Sequence, residues 1–280
     1  MRIEAPAKLN MTLRVLGRRE DGFHELETLM VPVPGLADVL EIEAAESFAF
    51  SCAGADVPAD ESNLVVKAVR IFERETGREC RYGVTLTKRV PHGAGLGGGS
   101  SDAAAMLRGL DELAGTGLGM ARLMAMAAEL GSDVPFFLDG GACWCRGRGE
   151  ILEPTVIGRH EVLLLKPDFG VGTPDAYKRW SDSRELPGVD YATQVVEGVE
   201  LVNDLERPVF EKFLFLAEMK MWLLEQPGVR AALMSGSGAT VFAVLEERVD
   251  GKAIADRALK ELDPRLWSWV GAVGSEMGDL

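Results

Sequence analysis

The sequence predicts an α+β protein in two parts, residues 1–154 and 155–280, and three observations carry that reading. Strand-like and helix-like segments are mixed along the chain without the strict strand–helix alternation of a doubly wound sheet. The 280 residues exceed the roughly 150 of a typical domain. A break in pattern near Pro154 is followed by a fresh apolar run, Glu161-Val162-Leu163-Leu164-Leu165, that restarts the mixture.

The elements follow in order. Residues 2–17 interleave apolar and polar side chains through Ala5-Pro6-Ala7-Lys8-Leu9-Asn10-Met11-Thr12-Leu13-Arg14-Val15, the period of a strand. Residues 18–22 form a charged turn, and Val39-Leu40-Glu41-Ile42 and Phe48-Ala49-Phe50-Ser51 read as further strands. Between residues 63 and 75, Leu64, Val65, Ala68, Val69 and Phe72 recur at helical spacing, and Gly77 stops the helix. Residues 82–89 read as a strand ended by Pro91. After a glycine-rich stretch, Met106, Leu107, Leu110 and Leu113 mark a helix for which Ser100 or Ser101 is the expected N-cap. A second helix over residues 120–130 closes at Gly131, and Phe136-Phe137-Leu138 resumes apolar structure before Gly140-Gly141. From residue 161 strands and helices alternate to the end, with no internal repeat and no low-complexity tract.

Composition narrows the function. At 47% hydrophobic and 26% charged the chain is ordinary globular material. Thirty basic against 44 acidic residues leave a net charge of −14, a field that disfavours nonspecific binding to nucleic acid or anionic lipid. A local anion site is still open, because Arg2, Lys8, Arg14, Arg18 and Arg19 stand against Glu4 alone in the first nineteen residues. No apolar run approaches the roughly 20 residues of a membrane span, and the N-terminus has no apolar signal core. The expectation is a cytoplasmic protein with no membrane or nucleic-acid partner. Cys52, Cys80, Cys143 and Cys145 are then expected as free thiols. Cys143 and Cys145 are too closely spaced for a zinc knuckle, and His24, His92 and His160 are scattered.

Thirty-two glycines in 280 residues exceed the roughly 7% of an average chain. Gly93, Gly95, Gly97, Gly98 and Gly99 fall within seven residues. Gly93-Ala94-Gly95-Leu96-Gly97-Gly98 satisfies G-x-G-x-x-G, but no following strand with an acidic end completes a dinucleotide fold. No lysine precedes Ser100, so the P-loop pattern fails as well. The physics still points to phosphate. Successive glycines leave backbone N–H groups unobstructed, and the helix behind them adds unpaired donors and partial positive charge. A tight turn alone needs one or two glycines, not five.

Pro91-His92-Gly93-Ala94-Gly95-Leu96-Gly97-Gly98-Gly99-Ser100-Ser101-Asp102 resembles the second motif of the GHMP kinase superfamily. Pro6-Ala7-Lys8-Leu9-Asn10 resembles its first motif, and Met234-Ser235-Gly236-Ser237-Gly238-Ala239-Thr240 its third. Three more segments are similar to the branch of that superfamily acting on 4-diphosphocytidyl-2-C-methyl-D-erythritol. They are Gly17-Arg18-Arg19-Glu20-Asp21-Gly22-Phe23-His24, Leu130-Gly131-Ser132-Asp133-Val134-Pro135-Phe136-Phe137 and Asn203-Asp204-Leu205-Glu206. The chain departs at Phe23, where the branch usually has tyrosine, and in the proline-rich Val31-Pro32-Val33-Pro34.

The resemblance implies an ATP-binding N-terminal domain, a substrate-side C-terminal domain, and phosphorylation of an alcohol with ATP and Mg²⁺. It makes Asp133 the catalytic aspartate and Lys8 its partner. ATP falls to Pro91, His92, Gly93, Ala94, Gly95, Leu96, Gly97, Gly98, Gly99, Ser100 and Ser101, with Asn63 lining the adenine pocket. The cytidine diphosphate-linked methylerythritol falls to Asn10, Phe23, His24, Thr173, Tyr177 and Gly236, with Phe23 and Tyr177 on opposite faces of the base. Read from the residues alone, Asp133 is more readily an N-cap and Lys8 a solvated strand position. A kinase of another small alcohol, of mevalonate or homoserine type, a related decarboxylase, and a non-catalytic nucleotide-binding regulator remain alternatives. Metal ligands and oligomeric state stay open.

Overall fold

The computed structural model describes residues 1–55 and 57–274. Two sheets lie back to back with helices on both outer faces. The chain runs β1 (Arg2–Arg18), β2 (His24–Ala44), β3 (Ala49–Ala53), α1 (Leu64–Thr76), β4 (Tyr82–Thr87), α2 (Gly98–Ala114), α3 (Met120–Leu130), α4 (Val134–Asp139), β5 (Cys143–Gly147) and β6 (Ile151–Pro154). It continues with β7 (His160–Lys166), α5 (Thr173–Arg179), β8 (Gln194–Val196), β9 (Val199–Asn203), α6 (Glu206–Lys212), α7 (Leu214–Leu224), β10 (Val229–Met234), β11 (Val241–Leu245), α8 (Gly251–Glu261) and β12 (Trp267–Val273). None of the described helices is long and apolar enough to cross a membrane.

The first sheet has the order β3-β4-β2-β1-β9-β8, with the β5–β6 hairpin attached to β2. The second is antiparallel, in the order β10-β11-β7-β12. One core joins the first sheet to α1–α4 through residues such as Leu40, Leu86, Phe72, Met106 and Phe136. A second joins the other sheet to α6, α7 and α8 through Leu165, Phe210, Leu223 and Ile254. A third fills the space between the sheets, where Ala7, Leu9 and Met11 meet Leu164, Leu233 and Phe242. The β8–β9 hairpin belongs to the later part of the sequence yet completes the earlier sheet, β9 running parallel to β1.

β1 is therefore covered on both sides, and the solvated face open to it on sequence grounds does not exist: Lys8 and Asn10 are each 4% exposed. Their odd-numbered neighbours enter the core between the sheets, so the alternation of a strand puts Lys8 and Asn10 together on the opposite face. The expected helices form where their caps place them. Asn63 accepts from Val65 N–H at 2.9 Å to start α1, and Gly77 ends it in the left-handed region. α2 differs from expectation. Its N-cap is Gly97 at φ +70°, with no side-chain cap, and neither Ser100 nor Ser101 fills that role. The glycines continue straight into the first turn, leaving its donors without a serine acceptor.

Candidate active site

The glycine loop is anchored through its carbonyls. Gly93 and Ala94 accept from Ala239 and Thr240 N–H at 3.3 and 3.1 Å. Leu96 accepts from Lys8 N–H at 2.9 Å, and Gly95 from the Ser235 hydroxyl at 3.1 Å. The N–H groups of residues 93–97 donate to no protein acceptor among the described residues. With the start of α2 behind them, they form an anion cradle. The cradle tolerates no side chain at Gly95. That residue has φ +73°, and a Cβ there would lie 2.1 Å from Ser235 O. The second and third motifs thus pack as one unit, which Asn203 steadies by donating to Met234 O and Gly236 O at 2.6 and 2.8 Å.

Across the cavity, β1 presents Lys8 and Asn10. Lys8 Nζ donates to Asn10 Oδ1, Asn10 Nδ2 donates to Thr28 Oγ1 at 2.8 Å, and the Thr28 hydroxyl donates to Thr12 O at 2.6 Å. This chain leaves the ammonium little freedom and points it at Asp133, whose Oδ2 is 3.5 Å away. Asp133 stands at the N-cap position of α4, yet its side chain makes no cap bond. The capping alternative is thereby removed. Its carboxylate remains about one-third exposed, beside the fully buried Val134 and Phe136.

At the other end of the cavity is an aromatic corner. His24 stacks on Tyr177 with ring centroids 5.3 Å apart and meets Trp180 edge-on at 5.9 Å. Burial, then the charge of Arg18, holds the His24 imidazole below its ordinary pKa, so it is neutral at pH 7. Burial and the nearby Asp133 raise the Tyr177 hydroxyl, which stays protonated. Phe23 is half-exposed, with the Arg148 guanidinium 4.7 Å over its ring. The Thr173 hydroxyl lies 2.8 Å from that of Ser237, tying α5 to the third motif.

The glycine loop, the Lys8–Asn10–Asp133 group and the aromatic corner line one cavity of about 1070 Å³, larger than the few hundred Å³ of many single-ligand sites. Asn63, Pro91 to Ser100, Phe23, His24, Thr173, Tyr177 and Gly236 lie on its wall with Lys8, Asn10 and Asp133. Ser101 does not: it is 1% exposed and sits behind the loop. Trp180, Arg148 and Lys88 also line the cavity and were not expected from sequence, and Asp102 of the second motif lines it beside Lys88. Trp180 follows Tyr177 by three residues, a spacing that a helix places on one face; Arg148 carries no comparable signal.

The GHMP kinase N-terminal domain model matches residues 63–141, and the GHMP kinase C-terminal model residues 197–263. The chain belongs to the GHMP kinase family. A 4-diphosphocytidyl-2-C-methyl-D-erythritol kinase of Methylacidiphilum infernorum is 44% identical, covering 94% of this chain and 93% of its own. A crystal structure of 4-(cytidine 5'-diphospho)-2C-methyl-D-erythritol kinase superposes with TM-score 0.79 at 37% identity, covering 98% of this chain and all of the other. Homoserine kinase from Cytophaga hutchinsonii, at 18% identity and TM-score 0.64 over 99% and 94% of the two chains, shares the fold.

Proposed function

We propose that the protein transfers the γ-phosphoryl group of ATP to the 2-hydroxyl of 4-diphosphocytidyl-2-C-methyl-D-erythritol. The observation that carries this reading is the meeting, in one cavity, of a glycine anion cradle, the Lys8–Asp133 pair and an aromatic corner suited to a base. The part of the chain before Pro154 supplies the ATP side, and the part after it supplies Thr173, Tyr177 and Gly236. Phosphoryl transfer asks for positioning and charge stabilisation more than covalent work. The cradle holds the ATP phosphates, and Asn63 lies beside the adenine. The acceptor hydroxyl enters next to Asp133, which takes its proton as the O–P bond forms and ADP departs. Lys8, with Nζ 3.5 Å from Asp133 Oδ2, steadies the charge of the transferring group. The nucleotide arrives as its Mg²⁺ complex. Among the described residues there is no cluster of three or more metal-ligating side chains, which suits an ion held mainly by phosphate oxygens and water. The ion would neutralise the β- and γ-oxygens.

Cytosine recognition would rest on the aromatic corner. Stacking tolerates any pyrimidine, so selection falls to edge hydrogen bonds from neutral His24 and nearby backbone groups. A kinase of a small alcohol without a base has no use for this corner. Coupled ADP release measured with 4-diphosphocytidyl-2-C-methyl-D-erythritol, mevalonate and homoserine tests the reading. Turnover with the first alone is expected, and turnover with either of the others in its place would overturn it.

A further inference from the structure

Beneath the glycine loop lies a charged cluster that the transfer chemistry does not use. Lys88, in the segment after β4, places Nζ against both Asp38 of β2 and Asp102 of α2, 2.8 Å from Asp102 Oδ2. The three side chains are 6%, 0% and 4% exposed. Asp38 Oδ1 also accepts from the N–H groups of Arg89 and Val90 at 2.5 and 2.8 Å. Asp102 Oδ1 is buried without a hydrogen-bond partner, as is the adjacent Ser101 hydroxyl. The cluster touches the anion cradle directly, since a Cβ on Gly98 would lie 3.1 Å from Lys88 Nζ. Two ionised carboxylates around one ammonium leave an uncompensated negative charge behind the very donors that a triphosphate must approach.

We propose that Asp102 is a proton-linked positioning residue for the nucleotide: the ATP phosphates seat on the cradle with Asp102 protonated, so that binding draws a proton from solvent. The inference rests on reading the glycine loop as the ATP site. A protonated Asp102 donates to the Asp38 carboxylate, and Asp38 with Lys88 then forms a neutral pair. The side chain is already poised for this. Burial raises the Asp102 carboxyl, Lys88 opposes it and Asp38 adds to it, for a value of about 7. The other elements around it bring little charge to bear. β3 contributes the Cys52 thiol, itself pushed up by burial. α1 sets Leu64 toward Gly99, α4 sets Phe137 toward Gly97, and Lys8 of β1 is paired with Asp133.

The sign follows from linkage. A bound polyanion raises the carboxyl further, so protons are taken up between the free value near 7 and the higher bound value. ATP affinity falls as pH rises through that window, by up to about tenfold per pH unit, and is level on either side. Calorimetric titration of the whole enzyme with ATP, in two buffers of different ionisation enthalpy, reads the proton count directly. Near pH 7.5 the wild type is expected to take up about half to one proton beyond the nucleotide's own titration, and Asp102→Asn none. Asp38→Asn keeps an oxygen for the Arg89 and Val90 donors but removes the like charge, and should move the window to lower pH. Absence of uptake in the wild type, or equal uptake in Asp102→Asn, overturns the proposal. If Asp102→Asn does not fold, an unmoved window in Asp38→Asn overturns it instead. Failure of ATP to bind at any pH removes the nucleotide reading itself and the proposal with it.

Discussion

Replacing Asp133 by asparagine separates catalysis from folding more cleanly than any other single change. The carboxylate makes no cap bond to α4, so no helix cap is lost. What folding loses is a 3.5 Å ion pair with Lys8 whose acidic side is about one-third exposed. The Lys8 side is buried, but asparagine keeps an oxygen facing it and Asn10 Oδ1 still accepts from its ammonium, so the loss should stay near about 1 kcal/mol. On the proposed mechanism catalysis loses the group that takes the acceptor proton, a contribution of about 10²–10⁴-fold, or about 3–5 kcal/mol on the barrier. The barrier should therefore rise several times more than stability falls. The cradle is untouched, so ATP affinity should stay within about threefold, under 1 kcal/mol. Single-turnover phosphoryl transfer, ATP titration and a urea unfolding curve on one preparation measure all three quantities. A variant that keeps more than about a third of wild-type turnover, with chemistry rate-limiting, would refute the assignment of Asp133 as the base. So would a turnover loss matched by an equal loss of stability.

Gly97→Val should abolish ATP binding in a protein that still folds. The position has φ +70°, and a Cβ there would lie 2.8 Å from the Phe137 ring; unchanged ATP affinity would make the loop a turn and nothing more. CMP should compete with the acceptor about 5- to 150-fold better than UMP, the range set by a mispaired buried polar group. His24→Ala should erode that preference, and equal inhibition by the two nucleotides in the unmodified enzyme would remove the cytidine assignment. Asn203→Ala orphans the carbonyls of Met234 and Gly236, at about 1–3 kcal/mol for each buried group left unpaired. A urea midpoint unchanged by that substitution would show the third motif to be held by other contacts.

What was legible in the sequence is what short-range chemistry writes there. The ends of α1 and α3 follow from Asn63, Gly77 and Gly131. The free N–H groups of the glycine loop ahead of a helix follow from its run of glycines. The expectation failed at the start of α2 because a serine cap and a left-handed glycine are alternative ways to begin a helix, and sequence does not rank them where five glycines precede. Of β2 only Val39-Leu40-Glu41-Ile42 reads as a strand from sequence, and the proline-rich Val31-Pro32-Val33-Pro34 gives no structural reading. Pro32 stays in register opposite Lys8, whereas the register breaks after Val33: Val33 pairs with Ala7 and Ala37 with Pro6. Pro34, Gly35 and Leu36 are thus carried in a bulge. The Asp38–Lys88–Asp102 cluster and the place of Arg148 over Phe23 were illegible for another reason. Their partners stand 14 to 125 residues apart; packing of α2 on the first sheet brings the charged cluster together, and attachment of the β5–β6 hairpin to β2 carries Arg148 to Phe23.

The charges around the cavity resolve how a protein of net charge −14 receives two polyanions. Its wall holds Lys8, Arg18, Lys88, Arg148 and Lys178 against Asp102 and Asp133, so the local sign is opposite to that of the whole. These cations are not evenly distributed. Lys88 is committed to Asp38 and Asp102, and Lys8 to Asn10 and Asp133. On the ATP side the positive potential comes from backbone N–H groups and the start of α2, fixed dipoles at short range. Arg18, Arg148 and Lys178 instead accompany the aromatic corner, where Arg148 covers Phe23 and Arg18 acts on His24. Those side chains reach solvent, and salt screens exposed charges far more than buried donors. Under the proposed function, electrostatic capture from solution would belong to the acceptor side, and geometric capture by oriented amides to the ATP side. A division of that kind lets an acidic surface repel nonspecific polyanions while each half of the cavity keeps its own means of holding phosphate.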